Sequence, residues 1–316
     1  MRYKKFVDRE PELSALISLV GHGIRAFYLY GSRGIGISTL LKRYILSMKE
    51  FNNYLVIYVD AIEGDRVDSA LIASEPAEPI LRELASSSEM PPGPALLYAL
   101  PIVLVRLGLP SVMGRHVLVI VDHLDRGIGP GKILDYLDSL MGTARKLILW
   151  KALSVTIISA GTQLGLNTLL SRPDKRIEAL RVGGLPLSAY KMLVNSLGID
   201  ADPEALWRLT GGNPGETIIL ATRYSGDVDF WKKALAARLR RVIRLLREKK
   251  LLGELSKAIK ELDNASRELL ELLQVHDIVL RADTPILGRG RGKEKWVWSL
   301  PVYRDLVAEI ISGQEG

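Results

Sequence analysis

At 316 residues, 47% hydrophobic and 25% charged, the chain has the composition of an ordinary globular protein and the length for two or three packed units. It has no cysteine, which excludes disulfides, thiolate metal centres and thiol nucleophiles, and its four scattered histidines make a poor zinc site. The formal net charge of +7 is concentrated late in the chain, between Lys232 and Lys260.

The opening "MRYKKFVDREPEL" is charged and lacks the apolar stretch of a signal peptide, so a cytosolic protein is expected. Three glutamines and six asparagines beside many Arg, Glu and Leu suggest a heat-adapted organism. Strand-like runs follow at 26–30, 54–59, 116–121 and 154–159, with a weaker one at 177–182. Helical patterns lie between them, at Ser38 to Lys49 and Ile133 to Leu153, an alternation that implies a parallel sheet covered on both faces. Segment 62–93 is less regular, with loops around a helix beginning near Pro79. The longest apolar run, "ALLYALPIVLV" at 95–105, is too short to span a bilayer and reads as a buried helix, so no membrane association is expected.

After "GGLPLS" come short helical segments punctuated by Gly and Pro, a small unit at about 184–226. A basic amphipathic stretch then leads to helices near 253–262 and 264–273. Two strand-like arms around the loop "GRGRGKEK" come next, and a last helix runs from Val302 to Ile311. Arg289, Arg291, Lys293 and Lys295 are the candidate DNA contacts, because a basic loop between two strands can engage a phosphate backbone. Leu and Val repeat at helical spacing along "AARLRRVIRLLREKK", with arginines around the rest; a solvated helix face and a polyanion-binding surface both stand open. Trp296 and Trp298 share one face of a strand and read as core.

The segment "GSRGIGISTLLKR" carries the most chemistry. Gly31 and Gly36 have the spacing of a phosphate-binding loop, between an expected strand and an expected helix. Backbone amides of Ser32, Arg33, Gly34 and their neighbours can cradle phosphate oxygens, and Ser38 or Thr39 can offer a hydroxyl to Mg²⁺. The lysine position holds Ile37, which supplies neither charge nor hydrogen bond. Losing that contact costs a few kcal/mol, roughly two powers of ten in affinity. Arg33 and Lys42 are candidate replacements; each is also an ordinary surface cation. The run "HVLVIVDHLD" delivers Asp122 to a strand end, where open α/β sheets bind ligands. His123 follows and could act as a base; Asp125 is either a second candidate or a capping carboxylate.

Taken in order, these segments resemble the archaeal P-loop ATPases of the AAA+/STAND type, relatives of the origin-recognition initiators. "FVDREPEL" is similar to the family's N-terminal signature beside the adenine pocket, "YLYGSRGIGISTLLKRY" to Walker A and "LVIVDHLD" to Walker B. "ISAGTQLGL" resembles the sensor 1 strand end, which implies a γ-phosphate contact for Thr162. Arg172 matches a recurrent arginine, either an arginine finger or an internal ion pair, and "LTGGNPGE" resembles the helical-lid motif with Asn213 and Pro214 near the nucleotide. The closing "SLPVYRDLV" resembles the family's winged-helix end. The departures are Ile37 for the lysine and His123 for the Walker B glutamate.

The expectation is therefore an α/β P-loop parallel sheet at 1–183, a helical lid at 184–226 and a basic winged-helix-like domain at 227–316. The resemblance implies ATP or ADP as ligand, with Mg²⁺ held by Ser38 and Asp122, and a weakly or non-hydrolysing nucleotide-dependent switch or DNA-associated scaffold. A DNA-binding protein whose P-loop no longer binds nucleotide is the alternative. A true ATPase using Arg33 or Lys42, with His123 or Asp125 handling water, is a third reading, and a homo-oligomer or protein partner is left open.

Overall fold

Runs of β-branched and aromatic residues form the expected strands in this computed structural model, which describes residues 9–171, 176–292 and 294–313. The chain divides into two compact units. One comprises Glu10–Tyr30 and Ile37–Arg181; the other gathers Arg9, the loop Gly31–Gly36 and the chain from Val182 onward.

The first unit runs α1 (Glu10–Leu19), β1 (Gly23–Tyr30), α2 (Ile37–Lys49), β2 (Tyr54–Asp60), α3 (Val67–Ala70), β3 (Leu71–Ala73), α4 (Ala77–Ser86) and α5 (Pro92–Arg106). It continues with α6 (Gly108–Val112), β4 (His116–Asp122), α7 (Leu124–Ile128), α8 (Ile133–Leu149), β5 (Ser154–Ala160), α9 (Gln163–Ser171) and β6 (Ile177–Arg181). Its strands lie in the order β3-β2-β4-β5-β1-β6. All pair parallel except β3, which pairs antiparallel with β2. The fold is thus α/β with a mostly parallel sheet, whose inner strands are buried along nearly their whole length, as a sheet covered on both faces requires. The strand β3 is the element that sequence does not reveal: three residues at a sheet edge are too few for an alternation signal.

The apolar run at 95–105 is helical, within α5, with Pro101 inside it. Proline has no N–H for the carbonyl four residues back. That carbonyl, of Leu97, instead accepts the Tyr136 hydroxyl from α8 at 2.9 Å, so the break in the helix ladder is satisfied by a neighbour.

The second unit contains α10 (Leu187–Leu197), α11 (Pro203–Thr210), α12 (Pro214–Arg223), α13 (Val228–Glu248), α14 (Leu252–Ala258) and α15 (Arg267–Val275). The strands β7 (Val279–Arg281), β8 (Pro285–Ile286), β9 (Gly290–Arg291) and β10 (Trp296–Trp298) follow, then α16 (Val302–Ser312). Asp202, Asn213, Asp227 and Ser266 each cap a helix through a side-chain oxygen. The Ser266 cap explains why the helices near 253 and 264 sit differently from expectation: a 3₁₀ turn at Leu262–Asn264 separates them, and the second starts at Arg267. Buried Tyr190 ties three helices together, because the hydroxyls of Thr210 and Thr217 both donate to its oxygen, at 2.9 and 2.8 Å. The arms expected around the basic loop pair as β7 with β10 and β8 with β9, both antiparallel. Trp296 and Trp298 are half-buried against the apolar core of this unit. Among the described residues no helix is long and apolar enough to cross a membrane.

Candidate functional site

Gly34 and Gly36 adopt φ of 81° and 96°, left-handed backbone that explains why glycine stands at both points of the 31–36 turn. The turn is braced within its own unit. Asn213, 1% exposed, donates through Nδ2 to the Arg33 carbonyl at 2.8 Å and lies 3.4 Å from Ser32 Oγ. Its Oδ1 accepts the Glu216 N–H, so one side chain caps α12 and holds the turn. The Gly215 N–H donates to the Gly34 carbonyl at 2.9 Å, a backbone approach so close that a Cβ on residue 215 would sit 2.6 Å from Gly34 Cα. Arg9 donates to the Gly183 carbonyl at 2.8 Å and to the Ile35 carbonyl at 2.5 Å. Asp277 accepts the Arg33 N–H at 3.1 Å from a left-handed backbone of φ 56°. Burial pushes its carboxyl up, and that effect outweighs the Arg33 N–H and the Arg238 and Arg33 charges.

In the other unit, β2 and β4 end side by side, with Asp60 in register with Asp122. Asp122 is buried; its Oδ2 accepts the Tyr58 hydroxyl at 3.0 Å and its Oδ1 accepts the His123 N–H at 2.9 Å. His123, in left-handed backbone at φ 54°, turns Nδ1 to Asp60 Oδ1 at 2.9 Å, and Lys42 Nζ lies 3.7 Å from Asp60 Oδ2. Burial opposes the charge on both members of the Asp60–His123 pair. Their mutual hydrogen bond and attraction prevail, so Asp60 is held below the usual carboxylate range and His123 above the usual imidazole value. Burial and the Asp122 charge push the Tyr58 phenol far up, which keeps it a donor. Asp60, Asp122 and His123 form the one group among the described residues whose ligand atoms lie within 4.8 Å of one another, as a metal site needs.

Asp125 opens α7 and is buried. Its Oδ2 accepts both the Thr162 N–H, at 2.9 Å, and the Thr162 hydroxyl. Tyr28 donates to the Thr162 carbonyl at 3.1 Å, and its hydroxyl fills the space where a Cβ on Gly161 or Gly165 would fall. Both glycines of "AGTQLG" therefore make room for Tyr28. In α2, Ile37 and Ser38 are half-buried in the first turn and Thr39 is exposed.

Residues 6–220 match a family model described as an ATPase domain predominantly from Archaea. The chain belongs to this archaeal ATPase family. Among curated proteins nothing matches. Similar solved structures include ORC2 of Aeropyrum pernix in its ADPNP–ADP complexes, at 14% identity and TM-score 0.41, covering 98% of this chain and 97% of that one. Another is Cdc6p of Pyrobaculum aerophilum, at 15% identity and TM-score 0.45, covering 98% of this chain and 96% of that one.

Within this archaeal ATPase chain, the sequence-predicted residues fall into separate groups. Ser32, Arg33, Gly34 and Gly36 share a unit with Asn213 and Pro214, and direct bonds join the turn to Asn213. Ile37, Ser38, Thr39, Asp122, His123, Asp125 and Thr162 share the other unit. There the structure joins Asp125 to Thr162 and Asp122 to His123. Arg172, Lys293 and residues 6–8 of the opening signature lie outside the described residues. Arg289, Arg291 and Lys295 are exposed on or beside the β8–β9 hairpin. Sequence reasoning missed Asp60, Tyr58, Tyr28, Arg9 and Asp277. Asp60 was within reach: "YLVIYVD" and "HVLVIVD" are two apolar strands with the same terminal Asp.

Proposed function

We propose that this archaeal ATPase-family chain binds an adenine nucleotide, ATP or ADP, with the phosphates over residues 31–39, and hydrolyses it slowly or not at all. Family membership supports the ligand class. The observation that carries the reading is the turn itself: left-handed Gly34 and Gly36 suit backbone amides to an anion, while Ile37 supplies no cation. Mg²⁺, when bound, would neutralise phosphate charge, and the Ser38 hydroxyl and Asp122 carboxylate are the oxygens offered to it. His123 stands where a water-polarising glutamate is usual, and its Nδ1 is taken up by Asp60. On this proposal a nucleotide-binding domain at 1–183, a helical lid at 184–226 and a winged-helix-like domain at 227–316 act together as a nucleotide-dependent switch.

Calorimetric titration of wild type and Ile37→Lys with ATP and ADP in Mg²⁺ tests the reading. Weak binding by wild type and a gain of about 100-fold in the variant are expected. No binding by either at millimolar nucleotide overturns it.

A second reading, association with DNA through Arg289, Arg291, Lys293 and Lys295, is favoured by the exposure of the described members of that set on a short hairpin. A mobility shift that is lost on Arg291→Ala with Lys295→Ala, and indifferent to ATP, would support it over nucleotide switching.

A further inference from the structure

The helix α13 buries Trp231, Leu235, Leu239, Val242 and Leu246 in the apolar core of its unit, and of its large apolar side chains Phe230 and Leu245 stay exposed. Its opposite face is unusual in composition. From Lys233 to Arg247 there is no acidic residue, and Lys233, Arg240, Arg241 and Arg244 are exposed. None of these four has a hydrogen-bond or ion-pair partner among the described residues; Arg238 of the same helix donates to the His276 carbonyl, and Lys249, just past its end, pairs with Glu268.

At about 100° and 1.5 Å per residue, Lys233, Arg240 and Arg244 fall within roughly 20° of one line, separated by about 10.5 Å and then about 6 Å. Arg241 widens the stripe to one side. Three cations therefore stand in a row on a rigid helix, with no carboxylate among them to neutralise their field.

We propose that this face of α13 binds the phosphate backbone of duplex DNA. A row of about 16 Å lies against nine or ten charges of a duplex, one per about 1.7 Å of axis, so each cation has a phosphate within reach without sequence selection. A convex stripe offers no converging donors to hold a small phosphate compound. Insertion into a lipid surface would need a continuous apolar face, and that of α13 lies in the core, leaving only the separated Phe230 and Leu245 outside it. The surface shares its ligand class with the DNA reading above but none of its residues, and it does not depend on nucleotide.

The test is the binding of the full chain to a labelled duplex across a salt series, comparing wild type with Lys233→Ala/Arg240→Ala/Arg244→Ala. A control variant, Lys132→Ala/Arg145→Ala/Lys151→Ala, removes the same charge from exposed positions of the other unit. The slope of log affinity against log salt should become shallower by about 2.7 in the stripe variant, near 0.9 per lost contact, and stay unchanged in the control. Circular dichroism should show both variants folded, since every substituted side chain is exposed. Equal losses in the two variants would assign the effect to net charge and overturn the proposal. An intact stripe-variant slope with loss only on Arg291→Ala/Lys295→Ala would leave the hairpin reading standing and remove this one. No duplex binding by wild type, or a slope change seen only on anionic vesicles or duplex RNA, also overturns it.

Discussion

Replacing Gly215 by alanine tests whether the phosphate-loop turn is held by the segment that opens α12. The new Cβ would lie 2.6 Å from Gly34 Cα and 2.7 Å from the Gly34 carbonyl oxygen, against 3.4 Å or more for ordinary contact. Both neighbours are backbone, so no side chain can swing away, and the two segments must part by about 0.8 Å. Overpacking of this kind costs roughly 1–3 kcal/mol. The same displacement stretches the 2.9 Å bond from the Gly215 N–H to the Gly34 carbonyl past useful length, adding about 1 kcal/mol. The expected destabilisation is about 2–4 kcal/mol, a fall in melting temperature of about 3–6 °C. Gly253 provides the control, because it is helical and nothing lies within 4 Å of its added Cβ. Alanine there should be neutral or stabilising by up to about 1 kcal/mol. Thermal and urea unfolding of the two variants decide the matter. A Gly215→Ala protein that unfolds with wild type, or a Gly253→Ala protein that falls as far, refutes the reasoning.

Two further outcomes follow from charge. Burial holds the Asp277 carboxyl above its unfolded value, so the folded state binds the proton more tightly and this group's contribution to stability falls as pH rises from the ordinary carboxylate range through the raised value. Asp277→Asn should therefore be more stable than wild type at pH 7, with the difference closing below about pH 4; urea unfolding across that range showing a less stable variant at pH 7 would reverse the sign. Lys42 pairs with Asp60 at 3.7 Å and sits 5.5 Å from the Tyr58 ring, so Lys42→Ala should leave ATP affinity within about two-fold of wild type. A ten-fold loss in calorimetric titration would instead make Lys42 the stand-in for the missing lysine.

The buried strands were readable because a two-sided parallel sheet writes continuous β-branched runs into the chain, and Asp122 was readable because it ends one of them. Asp60 ends another, yet its meaning rests on strand order: β2 neighbours β4 in the sheet, and nothing local to either segment states that. The same holds for the braces of the turn. Asp277 reaches Arg33 across 244 residues, and Asn213 reaches it across 180. Tyr28 reaches Thr162 across 134 residues and fills the space beside the glycines at 161 and 165. Asn213, by contrast, opens α12 through a local device, an N-cap followed by proline.

The two groups of site residues have one property in common that bears on Ile37. In a site that depends on its ligand, one expects exposed carboxylates awaiting a metal and a turn awaiting a phosphate. Here Asp60 is matched by His123 and Lys42, Asp122 receives two hydrogen bonds, and the turn's carbonyls are taken by Asn213, Gly215 and Arg9. These carboxylates and carbonyls find partners within their own units, so none of them needs a lysine at position 37, although the buried Asp125 Oδ1 has no hydrogen-bond partner. Loss of that lysine then costs affinity but not folding. On the reading proposed above, slow or absent hydrolysis follows from the same substitution, because turnover needs charge neutralised at the phosphates.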